Sequence, residues 1–219
     1  MMNIQHHPDD STLLAFGAGT LNAGQTLTVA THLDLCAHCR QRNAFATRIG
    51  GALLDDAADA ELTDNSFSRC LERIAAQPAP PPASEPANRP ADDIPAMLRE
   101  SLPCPLDDIP WRRVTPRKLY FPLAELNDDR RATSLFLFLP GTRVPGHGHD
   151  SSELTVVLRG AYRDETGLYR RGDFSDLEAD DHHAPVIVGD EPCIALVSLE
   201  GGVRFDNPLT RFASHFLGP

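Results

Sequence analysis

The segment His32-Leu33-Asp34-Leu35-Cys36-Ala37-His38-Cys39 reads H-x3-C-x2-C, a spacing that can hold a metal ion. Zinc takes nitrogen and thiolate ligands in a tetrahedron, and short spacings let one turn of backbone offer several of them. On a helix His32 and Cys36, four apart, share one face, and Cys39 stays on that side. Three ligands are local, so a fourth must come from elsewhere. His6 and His7 are the candidates, and the expected set is written His7, His32, Cys36 and Cys39. A C-x2-C can also be a redox dithiol, but no strand–helix pattern flanks this one.

A second group lies far along the chain. Residues 141–160 read G-x5-H-x-H-x3-E-x6-G, with His147, His149 and Glu153 at the reactive positions. In a strand His147 and His149 share a face, because side chains alternate. Glu153 returns from the next strand. Two imidazoles and a carboxylate then converge, a set suited to Zn, Mn, Fe or Ni. This stretch matches the first motif of the cupins at every fixed position. The second cupin motif places a His after a Gly with ten residues between them, and from Gly172 that spacing leads to His183, rather than His182, as the expected fourth ligand. The match is partial: the family's Pro, Gly and closing Asn fall on Glu178, Asp180 and Ile187. His215 stands alone and is expected to be structural or exposed.

These residues must be positioned by two kinds of element. In the first 77 residues the apolar spacing is helical. Asp10 or Ser11 can cap a first helix carrying Leu14, Ala18 and Leu21. A second helix from about Gln25 turns Leu27, Ala30 and Leu33 inward and delivers His32 and Cys36. A third follows Cys39 with Phe45, Ile49 and Ala52 at i, i+4 and i+7, and Gly50-Gly51 leave its end open. Three short helices make a thin core, and metal binding would add stability because its free energy is also folding free energy. A fourth helix, from Asp64 or Asn65 to Ala76, carries the stripe Phe67, Cys70, Leu71 and Ile74. That stripe could pack on the other helices or on a partner.

Seven prolines then fall within residues 78–95. Proline lacks an N–H and fixes its own φ, so this stretch reads as an extended spacer between two domains, each with its own core. Beyond it the pattern changes to short apolar runs at 119–123, 135–139, 154–158, 185–188 and 194–199, bounded by Gly, Pro, Asp and Asn. Regular short strands suggest a sandwich or jelly roll. The expected architecture is a small all-α bundle over 1–77, a linker over 78–95 and an all-β cupin barrel over 96–219.

The chain has 219 residues and a net charge of −11, spread as −4, −2 and −5 over those three segments. No segment is basic, so direct nucleic-acid binding is not expected. Five cysteines, two of them in the metal-like motif, argue for a reducing cytosol rather than a disulfide framework. Residues 1–10 are polar and lack the apolar stretch of a signal peptide. No apolar run approaches membrane-spanning length, so a cytoplasmic protein without a membrane partner is expected.

The two signatures in this order resemble the ChrR-type zinc-binding anti-sigma factors. His-His-Pro-Asp near the N-terminus, Ala-Thr-His-Leu around His32 and Leu-Arg-Gly-Ala-Tyr-Arg-Asp-Glu-Thr after Glu153 also look like that family. The resemblance implies a repressor of transcription whose N-terminal zinc domain binds an extracytoplasmic-function (ECF) sigma factor as a heterodimer. It implies that the fourth-helix stripe meets the sigma factor, and that the cupin domain senses reactive oxygen such as singlet oxygen. The alternative is a metal-dependent cupin enzyme, a dioxygenase or isomerase, with a helical appendage. Four protein ligands close a tetrahedral zinc site but leave two positions open on octahedral iron or manganese.

Overall fold

The structure is a computed structural model that describes residues 3–78 and 94–206. Most of the proline-rich spacer and His215 lie outside the described residues. The described residues form five α-helices: α1 (Asp10–Gly17), α2 (Ala23–Leu35), α3 (Ala37–Asp55), α4 (Ser66–Ala75) and α5 (Ala96–Glu100). Twelve strands follow: β1 (Arg112–Thr115), β2 (Lys118–Pro122), β3 (Arg131–Phe138), β4 (His147–His149), β5 (Glu153–Arg159), β6 (Ala161–Arg163), β7 (Leu168–Arg170), β8 (Phe174–Leu177), β9 (His182–His183), β10 (Val186–Val188), β11 (Cys193–Glu200) and β12 (Val203–Phe205).

The strands form a six-stranded sheet, β1-β2-β3-β11-β5-β8, and two three-stranded sheets, β10-β6-β7 and β12-β4-β9. The small sheets face the large one and complete a cupin-like barrel. Alternation along the strands sorts the large sheet's side chains into two sets. Val157 and Cys193 point into the barrel, where they pack with Tyr162, Tyr169 and Ile187 of the small sheets. Leu135, Leu154, Val156, Ile194 and Leu196 point outward and require cover.

The helix α2 provides it. Asn22 and Gln25 start it with a capping box, each side chain accepting the other's backbone N–H at 3.0 and 3.3 Å. Leu27, Val29 and Leu33 are buried, and so are the polar Thr28 and Thr31. Their hydroxyls donate back to Gly24 O and Leu27 O at 2.9 and 2.7 Å, so neither hydroxyl is stranded. Most of the helix is buried because α1, α3 and α5 pack on it from one side while β3, β5 and β11 lie on the other, and only Ala23, Thr26 and Asp34 stay exposed.

Three expectations are corrected. The halves do not have separate cores: the main apolar cluster runs from Leu13, Leu27 and Leu33 into Leu135, Val156 and Leu196. A three-helix unit this small buries too little surface alone, and the outer face of the sheet needs covering. In α1 the buried residue is Leu13, 2% exposed, whereas Leu14 is 54% exposed, so the helix is rotated from the Leu14–Ala18–Leu21 stripe. In α3 the stripe of Phe45, Ile49 and Ala52 faces solvent, and Cys39 is the helix's one buried residue. That helix continues through Gly50-Gly51 to Asp55. All five expected strand segments are present.

Gly24 marks the closest approach of helix and sheet. A Cβ there would sit 1.9 Å from Thr133 Oγ1 and 2.9 Å from Ser198 Oγ. Gly24→Ala should therefore destabilise the protein by about 1–3 kcal/mol through overpacking. Gly50→Ala meets nothing within 4 Å and should stabilise α3 by about 0.5–1 kcal/mol. Denaturant unfolding reads both, and a Gly24→Ala midpoint at or above the parent's would show that the seam is not tight.

Candidate metal centres

The first cluster forms where α2 gives way to α3. Cys36 leaves the helical region at φ −110°, ψ 103° and caps α3, its Sγ accepting Cys39 N–H at 3.4 Å. Arg40 folds back to donate to Leu33 O and Asp34 O at 2.5 and 3.0 Å, fixing the end of α2. His32, Cys36 and Cys39 thus face one point, and His7 arrives from the N-terminal strap. His7 Nδ1 lies 3.5 Å from Cys36 Sγ and 3.3 Å from Cys39 Sγ. His6, the other candidate, points away and stacks on Tyr169 at 4.0 Å.

The donor set fits a zinc-sized ion. Zn–S bonds of about 2.3 Å and Zn–N bonds of about 2.0 Å at tetrahedral angles require S···N edges of roughly 3.5 Å. His32 is fully buried, and its Nδ1–H donates to Gly172 O at 2.8 Å. That leaves Nε2 as a buried acceptor without a hydrogen-bond partner, aimed into the cluster. A carbonyl on the far ring nitrogen is the usual support of a metal-bound imidazole. Burial also pushes the His32 imidazole down to about 4, so it is neutral and ready to ligate. The Cys39 thiol is pushed up to about 12 by burial and by Cys36 beside it. A metal cation beside it would favour the Cys39 thiolate that ligation needs.

The second cluster lies inside the barrel. Cross-strand pairing places His147 of β4 opposite His183 of β9, with their Nε2 atoms 3.0 Å apart. His149 Nε2 lies 3.2 Å from Glu153 Oε2, and His183 Nε2 lies 3.9 Å from Glu153 Oε1. Edges of 3.0–3.9 Å fit a tetrahedral or an octahedral ion, and the choice of metal stays open. The His147 Nδ1–H donates to Pro145 O at 2.8 Å, which turns Nε2 inward. Neither ring nitrogen of His149 has a hydrogen-bond partner although both are buried. Burial and then His183 push His147 down to about 4. Burial pushes Glu153 up, but contact with His149 and the charge of the three imidazoles prevail and hold its carboxyl at about 2. Among the described residues these are the two groups that could hold a metal ion.

The structure thus brings together all eight residues singled out from the spacing. It leaves Phe67, Cys70, Leu71 and Ile74 on an exposed helix face. Sequence reasoning missed the supports: Gly172 O behind His32, and Asp164, whose Oδ2 lies 3.5 Å from His183 Nδ1. Gly172 entered only as a spacing mark, and nothing in the string Arg163-Asp164-Glu165 signals its neighbour.

The two shifted histidines set a pH dependence. Their folded values of about 4 lie below the roughly 6.5 of a free imidazole. The unfolded chain then binds more protons between those values, so stability is intact above the window and falls as pH drops through it. Metal-stripped protein should lose on the order of 2 kcal/mol per histidine between about pH 7 and pH 5. Urea unfolding at the two pH values checks this, and unchanged midpoints would mean that these rings are hydrated.

Residues 100–201 match the ChrR cupin-like domain. The anti-sigma-E factor ChrR of Cereibacter sphaeroides (strain ATCC 17023) is 34% identical over 218 residues, 98% of this chain and 99% of that one. A chain in the crystal structure of Rhodobacter sphaeroides SigE in complex with the anti-sigma ChrR is 31% identical, with a TM-score of 0.73 over 90% of this chain and 100% of that chain. Identity at this level from end to end, in both the helical and the barrel portions, means that the chain belongs to the ChrR family of anti-sigma factors.

Proposed function

We propose that this chain is a cytoplasmic anti-sigma factor that binds an ECF sigma factor as a heterodimer and represses its transcription. Residues 1–77 hold the partner, residues 78–95 are the linker, and residues 96–219 sense a reactive-oxygen signal of singlet-oxygen type. The first cluster holds a structural zinc through His7, His32, Cys36 and Cys39. The cupin cluster holds Zn, or Mn, Fe or Ni, through His147, His149, Glu153 and His183. A metal bound there supplies Lewis acidity and a fixed geometry that an oxidant can disturb.

The observation that carries this reading is the uncovered face of α4. Phe67, Leu71 and Ile74 are 74%, 49% and 60% exposed on a helix with no buried residue. Positions i, i+4 and i+7 are how an amphipathic helix enters a partner's groove. On α3, Phe45, Ile49 and Leu53 are also exposed and form a second apolar helix face. Exposed apolar helix faces on this scale mark interaction sites. The relative described above as a complex has a sigma factor, SigE, as its partner. The acidic balance of the chain disfavours a nucleic acid in that role.

The chain is a regulator rather than an enzyme in this reading, since the end-to-end relative is an anti-sigma factor. No helix among the described residues is long and apolar enough to cross a membrane, in keeping with a partner free in the cytoplasm.

The test is the pair Leu71→Asp and Ile74→Asp, made together in the full chain. Both side chains are exposed, so the fold should survive. Affinity for the cognate sigma factor should fall at least about 100-fold, as for other central interface residues, and inhibition in a purified transcription assay should fall with it. Unchanged affinity and inhibition would remove α4 from the interface.

A further inference from the structure

One hairpin serves both ligand clusters. Its strands β6 and β7 pair so that Tyr162 stands opposite Tyr169, with the rings stacked at 4.7 Å. At the tip, Asp164 Oδ1 accepts from Thr166 N, Thr166 Oγ1 and Gly167 N at 2.9, 2.7 and 3.2 Å. Its other oxygen lies 3.5 Å from His183 Nδ1 and the side chain is 1% exposed. The next residue, Glu165, accepts Ala184 N–H at 3.1 Å. The tip therefore clasps the strand that carries a cupin ligand.

The same hairpin grips the N-terminal strap. His6 lies flat on Tyr169, and a Cβ on Gly167 would come within 3.0 Å of His6 Cε1. Beyond β7, Asp173 Oδ1 accepts Gln5 N–H and His6 N–H at 2.7 and 3.0 Å. Phe174 N–H donates to His6 O at 3.1 Å. Gly172 O holds the His32 ring at 2.8 Å. His7, the neighbour of His6, thus reaches its cluster from a strap seated on this hairpin. Thr166 Oγ1 joins the two branches, 2.7 Å from Asp164 Oδ1 and 2.8 Å from Tyr169 OH.

We propose that Asp164, Thr166 and Tyr169 are positioning residues that couple the two clusters, so that losing ligation at the cupin cluster loosens the hold of the His7–His32–Cys36–Cys39 cluster on its metal. With His183 ligating through Nε2, its Nδ1 would carry the proton toward Asp164 Oδ2, which stands 3.5 Å away without a hydrogen bond in the place of the outer-shell partner that fixes a ligand imidazole. When that ligation is lost the ring can change tautomer and turn. Asp164 then loses its neighbour, and the turn built on Thr166 and Gly167 relaxes beneath His6. This deepens the proposed function by naming a route from sensor to partner-binding half, and it rests on both clusters being metal centres. A second physical connection exists, through Gln25 Nε2, which donates to Ser152 Oγ at 2.9 Å next to Glu153.

The test uses the full chain loaded with cobalt(II). Of the two clusters only the first contains thiols, so with Cys70 and Cys104 replaced by Ser throughout, a thiolate-to-cobalt charge-transfer band reports that cluster. Its loss to an excess of chelator is timed in the parent, in His147→Ala, and in the same pair carrying Thr166→Val or Tyr169→Phe. Tyr169→Phe keeps the ring stack and removes only the hydroxyl. The expected result is that His147→Ala speeds the loss at least about fivefold, the low end of coupling between sites. In either hairpin background the same substitution should change the rate less than about twofold, an interaction that a double-mutant cycle isolates. General destabilisation by His147→Ala would persist in the hairpin variants and would overturn the proposal. So would loss of the coupling in Gln25→Ala but not in Thr166→Val. A chain that takes up no cobalt at the thiolates overturns the metal reading and this proposal together. A chain that binds cobalt without coupling overturns this proposal alone.

Discussion

The burial of α2 between helices and barrel is the constraint on which the rest of the structure depends. The outer face of the six-stranded sheet is apolar and must be covered. The helix that covers it ends in His32, fully buried and tied to Gly172 O of the barrel. One docking event therefore completes the core and turns a ring nitrogen toward two thiols. The cost is a knot of desolvated donors, with His32 Nε2 left unpaired. A buried polar group of that kind is unfavourable unless something binds it, and a cation held by four ligands would meet that need. With the proposed zinc in place, folding and metal binding would be one process in the N-terminal half.

The ligands were legible in the sequence because their spacing is local. His32, Cys36 and Cys39 need only a helix end, and His147, His149 and Glu153 need only one strand and the start of the next. His183 was legible through its distance from Gly172, although half of that motif is altered. The choice between His6 and His7 was not legible, because the strap has no regular structure and tertiary contacts decide which ring turns inward. The phase of α1 was misjudged for a related reason. Leu13 and Leu14 are adjacent, and only the position of α3 and the barrel determines which is covered. The shared core was hidden by the proline-rich spacer, which signals a break in the chain but not the distance between its ends. The shortest strands, such as β4 and β9, are held by pairing across the barrel rather than by their own composition.

The distribution of order explains how one chain can both enclose two polar clusters and leave apolar helix faces uncovered. The imidazoles of His32, His147 and His183 in the two clusters are buried and face backbone carbonyls or a carboxylate. Apolar side chains on α3 and α4 are left uncovered. Closed, supported clusters keep fixed geometry, while uncovered helix faces keep freedom to dock. The hairpin of β6 and β7 meets His183 of one cluster through Asp164 and His6, the neighbour of His7, through Tyr169, so the barrel is more than a weight at the end of a linker.

The central claim is that the chain carries two metal centres of different chemistry. Elemental analysis of the purified full chain measures it directly. The account predicts two metal ions per chain, one for each cluster. It predicts that Cys36→Ser with Cys39→Ser removes only zinc from the first cluster and leaves the cupin metal. It also predicts that His147→Ala with His149→Ala removes the cupin metal and leaves one zinc. A full chain that folds and binds its sigma factor with neither metal, or a metal content untouched by either pair of substitutions, would contradict it.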